Sequence, residues 1–201
     1  MRTQASILAL AALAAAAPSL RARQAASSPS LNVTDAIWDG QCFYPKSDDD
    51  FELDEYLGRW YQVAGTPAPF TQGCTCIYAE YSLNDNGTVK VANGCQLGDQ
   101  EITIEGNASP ADEAYGEEGV FRVQFPPMPP PTDCAGPNYV VQKVEEDWAI
   151  VQASNFSTLF LLSREQNPSQ EDIQDWLDKA GELGTNLTTV EIVSQENCMF
   201  T

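Results

Sequence analysis

The chain has 201 residues, 29 of them acidic and 10 basic, for a formal net charge of −19, and it contains no histidine. That length suits one domain, or two small ones, with a real core, and the charge argues against nucleic acid or an anionic membrane surface as partner, since both need clustered Lys and Arg. The missing histidine removes His-based acid–base catalysis, Ser-His and Cys-His nucleophile pairs, His-ligated haem and most zinc sites.

At the N-terminus Met1-Arg2 precedes a small-apolar run from Ala5 to Ala17. It is too short to span a bilayer and has the length of a signal-peptide core. We place a signal segment over 1–23, with cleavage between Ala17 and Ala26, a loose lead over 24–41, and one domain over 42–201. No later segment reads as an integral membrane segment, so the expected location is secreted and extracellular. A strongly acidic surface favours a soluble monomer.

Short segments of alternating polarity follow, at roughly 58–66, 75–83, 88–94, 100–109, 119–125, 138–144, 148–153 and 158–163. Their number and spacing predict an all-β barrel or sandwich. Asn84-Asp85-Asn86-Gly87 is the clearest hairpin turn, because Asn-Gly tolerates positive φ. Ile77, Ala79, Tyr81 and Leu83 share one face of their segment, as do Phe121, Val123 and Phe125 of theirs. Next comes Pro126-Pro127-Met128-Pro129-Pro130-Pro131, read as a stiff loop. One helix is predicted, capped by Ser169, with Glu171 and Asp172 in its first turn and Ile173, Trp176, Leu177 and Ala180 along one face. Gly181 and Gly184 are its stop signals, and Leu187 to Val193 reads as a ninth strand.

The six cysteines, Cys42, Cys74, Cys76, Cys95, Cys134 and Cys198, form an even set and predict three disulfides whose pairing the residues alone leave open. Cys74-Thr75-Cys76 has no second close pair and no histidine to complete a metal site, so no metal and no cofactor are expected. N-glycosylation triplets begin at Asn32, Asn86, Asn107, Asn155 and Asn186.

Phe51-Glu52-Leu53-Asp54-Glu55-Tyr56-Leu57-Gly58-Arg59-Trp60-Tyr61 resembles the opening motif of the lipocalins, and Phe160-Leu161-Leu162-Ser163-Arg164 their last-strand motif. The resemblance implies an eight-stranded antiparallel up-and-down barrel with one C-terminal helix. Its closed end would be sealed by Gly58, Trp60 and Arg164 through packing and a cation–π contact. Cys76 to Leu83, Asn86-Gly87, Lys90-Val91, Ile104 to Pro110 and Glu196-Asn197-Cys198 are similar to the apolipoprotein-D-like and bacterial-lipocalin-like branch. The resemblance covers residues 42–198. One motif departs: Lys143-Val144-Glu145 stands where the family commonly has Thr-Asp-Tyr, and no receptor is inferred. The branch implies Cys76–Cys198. Its second bridge reaches a position held here by Ser154, and Cys134 nearby would substitute, giving Cys42–Cys134 and leaving Cys74–Cys95.

The same resemblance, with the alternation, points Ile77, Tyr81, Val91, Asn93, Phe121, Val123, Phe125, Phe160 and Leu162 into the barrel, with Met128 at its mouth. It implies a secreted carrier of a small hydrophobic ligand such as a sterol, retinoid, pigment or lipid-like molecule. Arg59, Lys90 and Arg122 are expected to point outward and Lys143 to lie near the closed end, which leaves no cation for the upper cavity and favours a neutral ligand. The alternatives are an isomerase-type enzyme on the same scaffold, which would need a free thiol, and a surface factor binding proteins through loops and glycans.

Overall fold

The computed structural model describes residues 34–129 and 133–200. The expected signal segment, the first part of the lead, Asn32, Pro130 and Pro131 lie outside the described residues. Strands β1 (Ala36–Trp38) and β2 (Phe43–Pro45) pair as a hairpin. Helix α1 (Leu53–Tyr56) leads into β3 (Gly58–Gly65). Then come β4 (Thr75–Leu83), β5 (Val89–Leu97), β6 (Gln100–Pro110) and β7 (Val120–Gln124). The last barrel strands are β8 (Tyr139–Val144), β9 (Trp148–Gln152) and β10 (Leu159–Ser163). Each pairs antiparallel with the next, and β10 pairs back onto β3, so eight strands close an up-and-down barrel. Helix α2 (Gln170–Glu182) lies against the outer face of β3, β9 and β10, and β11 (Glu191–Ile192) adds to β3.

The eight segments expected from alternation are the eight barrel strands, each within one to three residues at its ends. Period two sorts them. Ala79, Tyr81, Val89, Val91, Ala108, Phe121, Val151 and Leu162 share one core inside the barrel. The residues of the opposite parity in β10, Leu159 and Leu161, join Ile150, Ile173, Leu177 and Ala180 in a second core beneath α2. The β4–β5 turn closes through Asn84 N–H to the Thr88 carbonyl (2.8 Å), with Gly87 at φ +80°.

The motif residues seal the closed end. Gly58 has φ +91°, a conformation that a residue with a Cβ enters only at a cost, and it turns the chain from α1 into β3. Trp60, 1% exposed, donates its indole N–H to the Tyr56 carbonyl at 2.8 Å. The Arg164 guanidinium lies 3.7 Å above its ring and donates to the carbonyls of Arg59 and Glu55. Beside them Asp48 accepts from the Lys143 ammonium (3.1 Å) and from Val144 N–H (2.9 Å), lacing the segment between β2 and α1 to β8. Cys42–Cys134, Cys74–Cys95 and Cys76–Cys198 are bonded.

Four local expectations change. The lead is not loose at its end: residues 36–45 form the β1–β2 hairpin, held by Asp39, whose carboxylate accepts from Gln41 N–H, Cys42 N–H and the Tyr44 and Tyr115 hydroxyls. Gly181 lies within α2, and the stop is Gly184 at φ +102°. The ninth strand shrinks to Glu191–Ile192, because Asn186 caps a 3₁₀ turn over Leu187–Thr189 by accepting from Thr188 N–H. Leu83 ends β4 at the closed end of the barrel, beyond the residue paired with Gly58, and is exposed.

Candidate functional site: a cavity inside the barrel

The barrel holds a cavity of about 920 Å³. Its floor is made by Leu53, Tyr56 and Leu57 of α1 and the segment after it, and its rim by Phe70, Met128 and Asn155, on the loops that follow β3, β7 and β9. All ten expected interior residues line it: Ile77 and Tyr81 from β4, Val91 and Asn93 from β5, Phe121 and Val123 from β7, Phe125 and Met128 beyond it, Phe160 and Leu162 from β10. Sequence reasoning missed Tyr56, Phe70, Ile102, Ile104 and Tyr139. The alternation of Ile102 and Ile104 in β6 carried the signal for two of them, and period two from Val141 carried it for Tyr139.

The chamber is mostly apolar, with polar side chains such as Gln62, Asn93 and Asn138 in its wall and Asp133, Ser154 and Asn155 towards its mouth. At its lower end the hydroxyls of Tyr56 and Tyr139 lie 2.7 Å apart, and those of Tyr139 and Tyr81 2.9 Å apart, so three phenols form one hydrogen-bonded chain. The rings of Tyr56 and Tyr81 stack at 5.6 Å, and Tyr139 stacks on Phe160 at 6.4 Å. Burial pushes the Tyr81 phenol up to about 12 and holds those of Tyr56 and Tyr139 well above the usual tyrosine range. Midway up the wall Asn93 faces Ala79 across the β4–β5 pair, and its Oδ1 is buried without a hydrogen-bond partner among the described residues. A cavity of this size with a few convergent polar groups is the usual form of a small-molecule site.

One cation is placed differently from expectation. Arg122 was expected to point away from the barrel interior; it is among the residues that line the cavity, and its guanidinium donates to the carbonyls of Cys134 and Gly136 in the loop before β8. The strand parity was right for the Cβ, but the long stem carries the charge to the rim. The other described cations lie away from the chamber. Arg59 pairs with Glu80 on the outer wall, Lys90 with Glu105, Lys46 with Asp49 and Lys179 with Glu182, while Lys143 and Arg164 sit at the closed end.

The described glycosylation triplets differ in setting. Asn86 and Asn186 are exposed, and in each the Oδ1 accepts from the threonine two residues on, at 3.2 Å from its N–H and 2.7 Å from its hydroxyl. Asn107 is half-buried in β6, with its Oδ1 held by Asn84 and Thr88. Asn155 has φ +56°, and its amide is held between Phe43 N–H and the Cys134 sulfur.

Residues 51–195 match the family model described as a lipocalin-like domain. Apolipoprotein D of Mus musculus is 30% identical over 167 residues, covering 79% of this chain and 85% of that protein. Among solved structures, the cockroach allergen Per a 4 superposes with a TM-score of 0.56 at 19% identity, covering 78% of this chain and 96% of that one. Insecticyanin of the tobacco hornworm Manduca sexta gives 0.53 at 19% identity, covering 77% and 89%. With the sealed base, the closed eight-stranded barrel and the chamber above it, these matches make the chain a member of the lipocalin family, in its apolipoprotein-D-like branch.

Proposed function

We propose that this protein is a secreted carrier that encloses one small, uncharged hydrophobic molecule in its barrel. The observation that carries the reading is the chamber itself: about 920 Å³, walled mostly by aliphatic and aromatic side chains, with a cluster of three phenols at its inner end and further polar side chains such as Gln62, Asn93 and Asn138 in its wall. Burying an ionised carboxylate there would need a partner charge deep in the barrel. Arg122 at the rim, already hydrogen-bonded to two carbonyls, is poorly placed to supply it. The family and its apolipoprotein D relative support the carrier reading.

Secretion agrees with the apolar N-terminal run and with three disulfides, which persist in oxidising compartments. With all six cysteines bonded, no thiol remains for an isomerase-type nucleophile. Glycans would be accepted most readily at Asn86 and Asn186, whose amides extend from exposed turns.

The test is extraction of the natively secreted protein with organic solvent, followed by mass spectrometry, alongside a fluorescence titration of a long-chain alcohol against its matched acid at pH 7.5. A stoichiometric neutral guest and tighter binding of the alcohol are expected. Tighter binding of the ionised acid would overturn the neutral-ligand reading.

A further inference from the structure

We infer that the inner end of the cavity is a subsite for a neutral oxygen acceptor, so that the ligand lies with a carbonyl or hydroxyl oxygen leading and its apolar body towards the mouth. This rests on the carrier reading above and adds an orientation and a ligand class to it.

A phenol has one O–H to donate. Tyr56, Tyr139 and Tyr81 form a chain joined by two hydrogen bonds, and whichever way each bond points, two O–H groups are used. The third has no acceptor among the described residues. Its surroundings are the rings of Trp60, Phe121 and Phe160, so nothing in the wall competes for it. A donor left unpaired in such a place is costly, and a water or a ligand oxygen relieves it. The burial that holds these phenols protonated also opposes a negative charge beside them and outweighs the charge of Arg164 beneath the floor, which favours an uncharged acceptor over a carboxylate.

Tyr81 pairs with Val91 across the β4–β5 ladder, and Asn93 is two residues further up, on the same face. Two residues of strand rise about 7 Å. The amide of Asn93 therefore lies about one such step above Tyr81 on the same wall; its Oδ1, without a partner among the described residues, is enclosed by the protein rather than open to the chamber. Between the two the wall offers only Ala79 and Val91 from these strands.

The test uses two isosteres, 2-tridecanone and 2-methyl-1-tridecene, in which a carbonyl oxygen is replaced by a methylene. Dissociation constants for both are measured by displacement of a neutral fluorescent probe, in the wild type and in the triple variant Tyr56→Phe, Tyr81→Phe, Tyr139→Phe. Only the triple change removes the spare O–H, because any shorter chain of phenols still carries one. The alkene-to-ketone ratio of dissociation constants is expected to fall about tenfold in the variant, the size of one neutral hydrogen bond. An unchanged ratio, with both compounds bound by the wild type, overturns the subsite and leaves the carrier reading standing. Failure of the wild type to bind either compound overturns both. Should the variant not fold, infrared spectroscopy of the ketone in the wild type decides. A carbonyl stretch moved to lower wavenumber than in alkane supports the subsite, and one at the alkane position overturns it.

Discussion

The two sides of the barrel are built differently. In β9 and β10 consecutive residues are buried whichever way they point: Ala149, Ile150, Val151 and Gln152 are all fully enclosed, and Leu161 and Leu162 are neighbours that belong to different cores. Across the barrel, β6 is eleven residues long and mostly exposed, and its one fully buried residue, Ala108, faces the chamber. In the first wall parity chooses between two cores, one beneath α2 and one in the chamber. In the second it chooses between water and the chamber. The helix-covered side therefore carries stability, and the single-faced side is free to shape the ligand site.

The strongest way to break both at once is at the base where they meet. Trp60→Ala should cost about 3–5 kcal/mol, because it empties a fully packed aromatic position. Thermal melting checks it, and a variant within a degree or two of the parent would remove Trp60 from the core. Next comes Leu161→Ala, expected to cost about 3 kcal/mol and to loosen α2 while leaving neutral-ligand affinity nearly unchanged. Chemical denaturation and ligand titration on the same sample would separate those effects. Gly58→Ala forces a Cβ into φ +91° and should cost about 1–2 kcal/mol, read from the denaturation midpoint. The least effect should come from Lys90→Ala on the single-faced side. Its ion pair with Glu105 is solvent-exposed, and the cost should stay below about 0.5 kcal/mol.

Acid and base should probe the two ends of the molecule separately. The backbone N–H groups of Cys42 and Gln41, with the Tyr44 hydroxyl, lower the Asp39 carboxyl from 3.8 to about 2. Its contribution is present above the unfolded value and is lost as pH falls through the folded one, loosening the β1–β2 hairpin first. The Tyr81 phenol moves the other way, from 10.0 to about 12 through burial. Below pH 10 its contribution is complete, and it is lost as pH rises towards 12. With no histidine to titrate between these windows, stability should be level around neutrality. Hydrogen exchange at both extremes would locate each loss.

Much of this was legible in the residues. Alternation located every barrel strand, because a half-buried strand must segregate its faces, and the Gly58-Arg59-Trp60 motif with Arg164 located the base. The phenol chain was only partly legible. Tyr81 was read as interior, but its partners sit 58 and 25 residues away, at Tyr139 and Tyr56, and no local rule brings those hydroxyls together. The β1–β2 hairpin escaped for the same reason. Its strands are three residues each, and what holds them, Asp39 against Tyr115 and Cys42 against Cys134, comes from the far side of the chain. Arg122 shows the remaining limit. Strand parity fixes the direction of a Cβ but not the reach of a guanidinium.

The register of β3 and β4 has one more consequence. The two strands pair only from Gly58 to Tyr61, and above that they part. Residues 191–195 occupy the gap: β11 lies along Ala64 and Gly65, Cys76 N–H donates to the Ser194 carbonyl, and the Gln195 amide donates to the carbonyls of Gln62 and Ile77, one on each side. The Cys76–Cys198 bond pins this filler in place. On a ribosome that works from N- to C-terminus, all eight strands emerge before the residues that stop this slit. The segment that caulks the slit is thus synthesised after every strand it joins, and the wall of the vessel is the last part of the barrel to be completed.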